Sequence, residues 1–176
     1  MTFVDMLEEG RQDFLEATSQ ISDQQASVKP TPNSWTVLEC VEHVAAVEDR
    51  FRGMIVSGTE TVPKKDFENE MRLFSMLRSR LEKREAPEPV RPRGLYTTLP
   101  AALAEFQAAR NRSIALVQER GDALYSIGAQ HPRFGAVNGA ELIRMIDGHA
   151  RRHAEQIREI HEALLAQETG KAQGAD

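Results

Sequence analysis

The sequence lacks the features that mark secreted, membrane-spanning or nucleic-acid-binding proteins. Its one cysteine, Cys40, cannot form a disulfide framework and fits a reducing compartment. No apolar run approaches the roughly 20 residues that span a bilayer, and the N-terminus shows no basic segment followed by an apolar one, so we expect no secretory signal. The formal net charge is −5, whereas binding to nucleic acid or to an anionic membrane favours a basic surface. We therefore expect a cytoplasmic protein with neither kind of partner.

Signals for β-strands are scarce as well, whereas helical periodicity extends over most of the chain. There are few clusters of β-branched residues and no alternating apolar runs. Apolar residues recur instead at helical spacing in five segments, and 176 residues suit a single domain. Four long amphipathic helices and one extra helix predict an all-α, antiparallel four-helix bundle. The additional helix falls in the connection between bundle helices 2 and 3.

Capping residues indicate where several of these helices begin. Thr36 and Glu39 form the T-x-x-E of a capping box, and Asn138 and Glu141 form a second one. The helices are predicted over about residues 2–19, 36–57, 66–85, 98–120 and 138–167. We assign residues 1–167 to one helical bundle domain and residues 168–176 to a flexible C-terminal tail.

Two histidines lie in the middle of the apolar stripe of the last helix. At 100° per residue, His149 and His153 share a narrow arc with Leu142 and Ile160. Side chains four residues apart on a helix are neighbours, which suits two imidazoles that share one metal ion. Each ring could equally be a core histidine that is hydrogen-bonded to a carbonyl or a carboxylate. The spacing alone fits both interpretations.

A third histidine, His43, lies at the edge of the apolar arc of the second helix. Three inward histidines on two helices are typical of a catalytic metal site, because such a site leaves coordination positions open for water or substrate. Cys40, one turn before His43, is interpreted as a small buried hydrophobe rather than a thiolate ligand. His131 is expected in a loop, and His161 on a solvated face.

Two charged residues also lie in apolar arcs, Glu48 on the second helix and Arg110 on the fourth. An unpaired buried charge is costly, so we predict that these two side chains pair across the bundle. The functional alternative is that Glu48 acts as a base near the metal.

Two motifs resemble those of the DinB-like (DinB/YfiT) metalloprotein family. The segment S-W-T-V-L-E-C-V-E-H (34–43) resembles the opening motif, and H-P-R-F-G (131–135) followed by H-A-R-R-H-A-E-Q-I (149–157) resembles the closing motif. The resemblance covers nearly the whole chain and implies a four-helix bundle that forms a homodimer. It also implies one divalent metal held by three histidines, which here are His43, His149 and His153. We expect zinc or nickel, since imidazole suits both.

The resemblance also bears on two further residues and on function. Gln156 matches the motif glutamine and is a candidate near the substrate, while Trp35 matches an aromatic expected to pack at the helix entrance. Some relatives are transferases or isomerases that use low-molecular-weight thiols such as mycothiol, bacillithiol or glutathione, and others are described as metal-dependent hydrolases. We therefore predict a metal-dependent enzyme for a small-molecule substrate, acting with such a thiol or as a hydrolase.

The catalytic candidates are Gln156 and Glu48. The alternative function is a non-catalytic metal-binding stress-response protein. The sequence shows no local basic cluster that would mark a site for a carboxylate-rich thiol.

Overall fold

The structure is a computed structural model that describes residues 1–81 and 85–173. Its helices are α1 (Phe3–Thr18), α2 (Asp23–Ala26), α3 (Val37–Val56), α4 (Phe67–Arg78), α5 (Leu99–Arg120) and α6 (Gly139–Gln173). Its strands are β1 (Thr59–Glu60), β2 (Ile127–His131) and β3 (Gly135–Asn138). Among the described residues, no helix is both long and apolar enough to cross a membrane.

The predicted four-helix bundle is confirmed, and it consists of α1, α3, α5 and α6. Helices α1 and α3 lie diagonally opposite each other in the bundle, and each packs against both α5 and α6. Asp13 pairs with Arg158 and Glu9 with Arg151, so α1 and α6 run in the same direction. The first halves of α3 and α5 share one apolar cluster and their second halves share another, so these two helices are also parallel. The long connection that contains α4 allows α5 to return beside α3 in this direction.

Two apolar clusters fill the bundle on either side of the histidines. One cluster contains Phe14 and Phe106, whose ring centroids lie 4.3 Å apart. The other contains Leu142 and Met145 from the start of α6, both fully buried. Burial of a large apolar side chain contributes about 1.5–3 kcal/mol. The face of α6 that was predicted to point inward is therefore buried in the core.

A small antiparallel sheet, in the order β1-β2-β3, corrects the expectation that strands are nearly absent. Thr59 of β1 pairs with Gly128, and Ala129 of β2 pairs with Val137. These strands are short and contain Gly and Ala, so they lack the alternating apolar pattern that predicts a strand. The predicted turn at H-P-R-F-G is the tip of the β2–β3 hairpin, where Gly135 adopts a φ of 73° that glycine tolerates best.

The predicted starts of α3 and α6 are confirmed in detail. Thr36 and Glu39 exchange both hydrogen bonds of a capping box, and so do Asn138 and Glu141. The connection between α3 and α5 contains a helix as predicted, but α4 ends at Arg78, and residues 82–84 of the predicted span lie outside the described residues.

The expected tail over residues 168–176 is helical as far as Gln173, where α6 ends. Residues 174–176 lie outside the described part of the chain.

Helix α4 packs closely on α6 next to the histidines. A Cβ atom on Gly148 would lie 2.6 Å from the backbone oxygen of Phe74, a distance that real Cβ atoms do not reach. The absence of a side chain at Gly148 therefore lets the backbone of α4 approach α6 one residue before His149. This contact brings the end of α4 close to the candidate site.

Candidate metal centre

The bundle brings His43, His149 and His153 together in its interior. His43 comes from the second turn of α3, and the other two come from successive turns of α6. All three are buried, with relative exposures of 4%, 8% and 5%. One ring nitrogen from each lies within 4.8 Å of the corresponding nitrogens of the other two. Three imidazole nitrogens thus converge on one point, as the sequence predicts.

A backbone carbonyl orients the His43 ring. Nδ1 of His43 lies 2.7 Å from the carbonyl oxygen of Val90, which can only accept a hydrogen bond. The proton of His43 is therefore assigned to Nδ1, and Nε2 keeps its lone pair. Nε2 lies 3.2 Å from Nε2 of His149, so it points into the group of histidines. A metal-binding histidine typically donates its other N–H to a carbonyl in this way.

Glu42 holds the segment that carries Val90 against α3. Its carboxylate accepts hydrogen bonds from the backbone N–H groups of Arg93, Gly94 and Leu95, at 2.7, 3.0 and 3.0 Å. Gly94 has a φ of 72°, a conformation that glycine adopts without strain. The proline-rich connection is thereby fixed beside His43, although it contains little regular structure.

Trp35 forms part of the wall of the site. Its ring centroid lies 4.8 Å from that of His43 and 6.0 Å from that of His153, with the second pair stacked at 13°. The side chain is half-buried and packs against the apolar cluster that includes Cys40. Trp35 therefore packs on the apolar core as expected, and its indole also contacts two of the three histidines.

Burial keeps the histidines neutral. Desolvation lowers the pKa of His43 despite its hydrogen bond to Val90, and it lowers the pKa values of His149 and His153 well below their usual value. Neighbouring histidines and Arg152 lower both of these further, and Arg80 adds to the effect on His153. Neutral imidazoles at pH near 7 offer the lone pairs that a metal ion requires.

An unsatisfied nitrogen distinguishes the two interpretations of the histidines. Nδ1 of His153 is buried and has no hydrogen-bond partner among the described residues. Core histidines that serve only packing normally have partners for their buried polar atoms. Neutral rings, converging nitrogens and this unsatisfied atom fit a divalent metal ion better than a core of hydrogen-bonded histidines.

The other residues that the sequence singled out do not join the three histidines. Glu48 pairs with Arg110, as predicted, through hydrogen bonds of 2.9, 3.2 and 3.0 Å. Cys40 is fully buried, burial raises the pKa of its thiol, and it does not belong to the histidine group. His131 is half-buried, contacts the rings of Phe51 and Phe134, and ends β2. His161 is half-buried on α6 rather than fully solvated.

Gln156 lies at the edge of the site and is joined there by an arginine that the sequence did not indicate. Nη1 of Arg80 donates to Oε1 of Gln156 at 3.2 Å, and Arg80 also pairs with Glu159. Sequence analysis missed Arg80, Val90 and Glu42 as neighbours of the histidines. Of these, only Glu42 gives a local signal, as a carboxylate next to a candidate ligand.

Comparisons with known proteins agree with this fold. The chain is 22% identical over 144 residues to YuaE, an uncharacterized protein of Bacillus subtilis (strain 168), covering 82% of this chain and 88% of YuaE. YfiT from Bacillus subtilis, described as a probable metal-dependent hydrolase with an unusual four-helix bundle topology, superposes with a TM-score of 0.57 at 20% identity. That match covers 92% of this chain and 85% of YfiT.

TT2238, a four-helix bundle protein, also matches with a TM-score of 0.57 and 20% identity, over 89% of this chain and 96% of that protein. At these identities the structural matches establish the fold alone. The family model of the DinB superfamily, however, matches residues 6–157, a span that includes all three histidines. By that match, the chain belongs to the DinB superfamily.

Proposed function

We propose that the protein is a divalent-metal-dependent enzyme in which His43, His149 and His153 hold the ion. The observation that carries this proposal is the convergence of three buried imidazole nitrogens within 4.8 Å of one another. Three neutral ligands leave further coordination positions for water and substrate, as in catalytic sites. Zinc and nickel are the ions we expect, because both accept imidazole ligands.

The protein's own residues prepare the site for chemistry. The hydrogen bond from His43 to Val90 fixes the tautomer and the direction of the ring. Trp35 and the two apolar clusters exclude bulk water from the histidines, so charges at the site are weakly screened. A divalent ion held there supplies Lewis acidity, which lowers the pKa of a bound water or thiol and yields a nucleophile at neutral pH.

Two kinds of reaction on a small-molecule substrate could use such a nucleophile. With a low-molecular-weight thiol, the protein would act as an S-transferase or isomerase, and with water it would act as a hydrolase. The description of YfiT as a probable metal-dependent hydrolase supports the second. A non-catalytic metal-binding stress-response protein is the alternative. A cytoplasmic homodimer is part of the proposal, and sedimentation analysis of the purified protein tests the dimer.

Metal analysis of the purified protein tests the site. We expect about one divalent ion per chain in the wild type, and a loss of at least tenfold in affinity in His149→Ala and His153→Ala, because each removes one of three ligands. His131→Ala is the matched control, since His131 contacts Phe51 and Phe134 rather than the other histidines. Unchanged metal content in His149→Ala and His153→Ala would show that the ion binds elsewhere.

Thermal-shift screening separates an enzyme that uses a thiol from the other possibilities. The melting temperature is measured for the metal-loaded and metal-free protein with mycothiol, bacillithiol and glutathione. A metal-dependent rise with one thiol supports the transferase or isomerase, because ligands that bind the folded state raise its stability. No rise with any thiol, together with hydrolysis of a panel of ester and amide substrates, supports the hydrolase. If the protein shows neither the rise in melting temperature nor hydrolysis, the non-catalytic alternative is favoured.

A further inference from the structure

We propose that Arg80 determines substrate specificity by binding a carboxylate group of the substrate beside the three histidines. The substrate, or the thiol that acts with it, would then belong to the class of small carboxylate-bearing molecules. This inference rests on the proposed function, because it places the carboxylate in the same site. It assigns a role to a residue that neither the motifs nor the histidine spacing indicates.

The first observation is the position of Arg80. It follows α4 by two residues, where the close contact at Gly148 holds α4 against α6. Its Nη1 lies 3.2 Å from Oε1 of Gln156, which is three residues after His153 and therefore on a neighbouring position of the same helical face. The fold thus joins two residues that are 76 positions apart in the sequence, at the edge of the histidine site.

The second observation is the charge around the histidines. The cationic side chains that lower the pKa of His153 are Arg152, which is buried, and Arg80. Within the described residues, no carboxylate joins the histidines as a possible ligand. A divalent ion on three neutral ligands would add two further positive charges to this buried environment. Arg80 is already paired with Glu159, so the charge left to neutralise is that of the ion, and this charge favours an anionic ligand at the remaining coordination positions.

The third observation is that Arg80 is held in place yet is reachable. Its Nε lies 2.9 Å from Oε1 of Glu159, and its Nη2 pairs with the other oxygen of the same carboxylate. Its side chain is 29% exposed, so it is in contact with both solvent and the edge of the site. A guanidinium has five N–H donors, and these bonds use three of them. The two remaining donors can form the charge-assisted hydrogen bonds that carboxylates accept.

The test uses the fluorescence of Trp35, the one tryptophan in the sequence, which contacts two of the histidines. The protein is titrated with 3-mercaptopropionate and with its neutral counterpart 3-mercaptopropionamide, in the metal-free and the Co²⁺-loaded forms. We expect the carboxylate to bind roughly tenfold more tightly than the amide, the effect of a charge-assisted hydrogen bond. In Arg80→Gln we expect the two ligands to bind with nearly equal affinity.

Two variants and one measurement make the outcome specific. Arg78→Gln removes the same charge from an exposed position on α4 and should keep the wild-type preference. Arg80→Lys keeps the charge but loses the planar fork, so it should restore only part of the preference. Cobalt content is measured for each variant and should be unchanged in Arg80→Gln.

Equal binding of the carboxylate and the amide by the wild type, or a preserved preference in Arg80→Gln, would overturn the role of Arg80. A wild type that takes up no metal contradicts the proposed function instead. In that case the metal-free titration still reports whether Arg80 selects the carboxylate, so the two failures are distinct.

Discussion

Arg110 and Glu48 form a two-pronged ion pair in the interior of the bundle, with Nε of Arg110 2.9 Å from Oε1 and Nη2 3.0 Å from Oε2 of Glu48. Both side chains are buried, with exposures of 0% and 2%. Nη1 of Arg110 donates to the carbonyl oxygen of Leu7 and lies 3.6 Å from Oδ1 of Asp147. One guanidinium therefore links α5 to α1, α3 and α6, and faces two buried carboxylates.

Arg110→Met should destabilise the protein by about 3–5 kcal/mol, because it leaves the Glu48 and Asp147 carboxylates buried without their shared partner. The free energy of unfolding is measured by urea denaturation of the metal-free protein. Arg112→Met is the control, since Arg112 pairs with Asp49 at the surface and a surface pair is worth about 0–1 kcal/mol. Equal losses in the two variants would show that the buried pair contributes no more than a surface pair.

Gly10→Ala should also be destabilising, by about 1–3 kcal/mol, because of overpacking. A Cβ atom on Gly10 would lie 1.8 Å from Oδ1 of Asp147, and Asp147 is held by a 2.8 Å bond from Arg151. Gly53→Ala on α3 should have the opposite effect and stabilise by about 0.5–1 kcal/mol, because alanine favours a helix and, among the described residues, no atom lies within 4 Å of the added Cβ atom. Thermal unfolding of the two variants measures both effects. A stable Gly10→Ala variant would mean that α1 can shift away from Asp147 at little cost.

The metal-free protein should lose stability as the pH falls below about 6.5, the ordinary pKa of histidine. Burial lowers the pKa values of His43, His149 and His153 in the folded state. In the pH range between the folded and unfolded values, the unfolded chain binds more protons, so stability rises with pH and falls on acidification. Urea unfolding at several pH values measures this slope.

A double variant isolates the contribution of the histidines from that of Glu48 and Asp147, whose pKa values are raised by burial in the folded state. In His149→Gln/His153→Gln the two groups with the most strongly lowered pKa values are absent, so the slope below about pH 6.5 should be flatter than in the wild type. Parallel slopes for the two proteins would indicate that other groups control the pH dependence.

Glu42→Ala should weaken metal binding by about 10–100-fold, because outer partners of metal ligands contribute at that level. The substitution removes the acceptor of three backbone hydrogen bonds and so releases the segment whose Val90 carbonyl orients His43. Competition with a chelator measures the affinity. Glu88→Ala is the control, since Glu88 lies in the same connection and forms an exposed pair with Arg91. Similar affinities in both variants would show that the position of Val90 does not depend on Glu42.

Local patterns account for what the sequence predicts correctly. The boxes of Thr36 with Glu39 and Asn138 with Glu141 each span three residues, so one short stretch contains the whole interaction. The inward direction of His149 and His153 follows from the helical period of α6. The pairing of Glu48 with Arg110 follows from the cost of burying either charge alone.

What the sequence does not predict depends on the path of irregular segments. The carbonyl of Val90 and the guanidinium of Arg80 lie in the connection between α3 and α5 beyond the end of α4, where periodicity does not predict the path of the backbone. Strands β2 and β3 are short and contain Gly and Ala, so they lack the alternating apolar pattern by which a strand is recognised in a sequence. The fold class and the histidines were therefore predictable, whereas the partners that orient the site were not.

The separation of the proposed ligands along the chain has a consequence for synthesis. His43 and His149 are 106 residues apart. At elongation rates of roughly 5–20 residues per second, the ribosome adds His149 about 5–20 seconds after His43. A nascent chain that ends before α6 has one of the three proposed ligands, His43, and the three histidines come together only when α6 docks between α1 and α3. Metal uptake by the nascent protein would thus mark the moment at which its bundle closes.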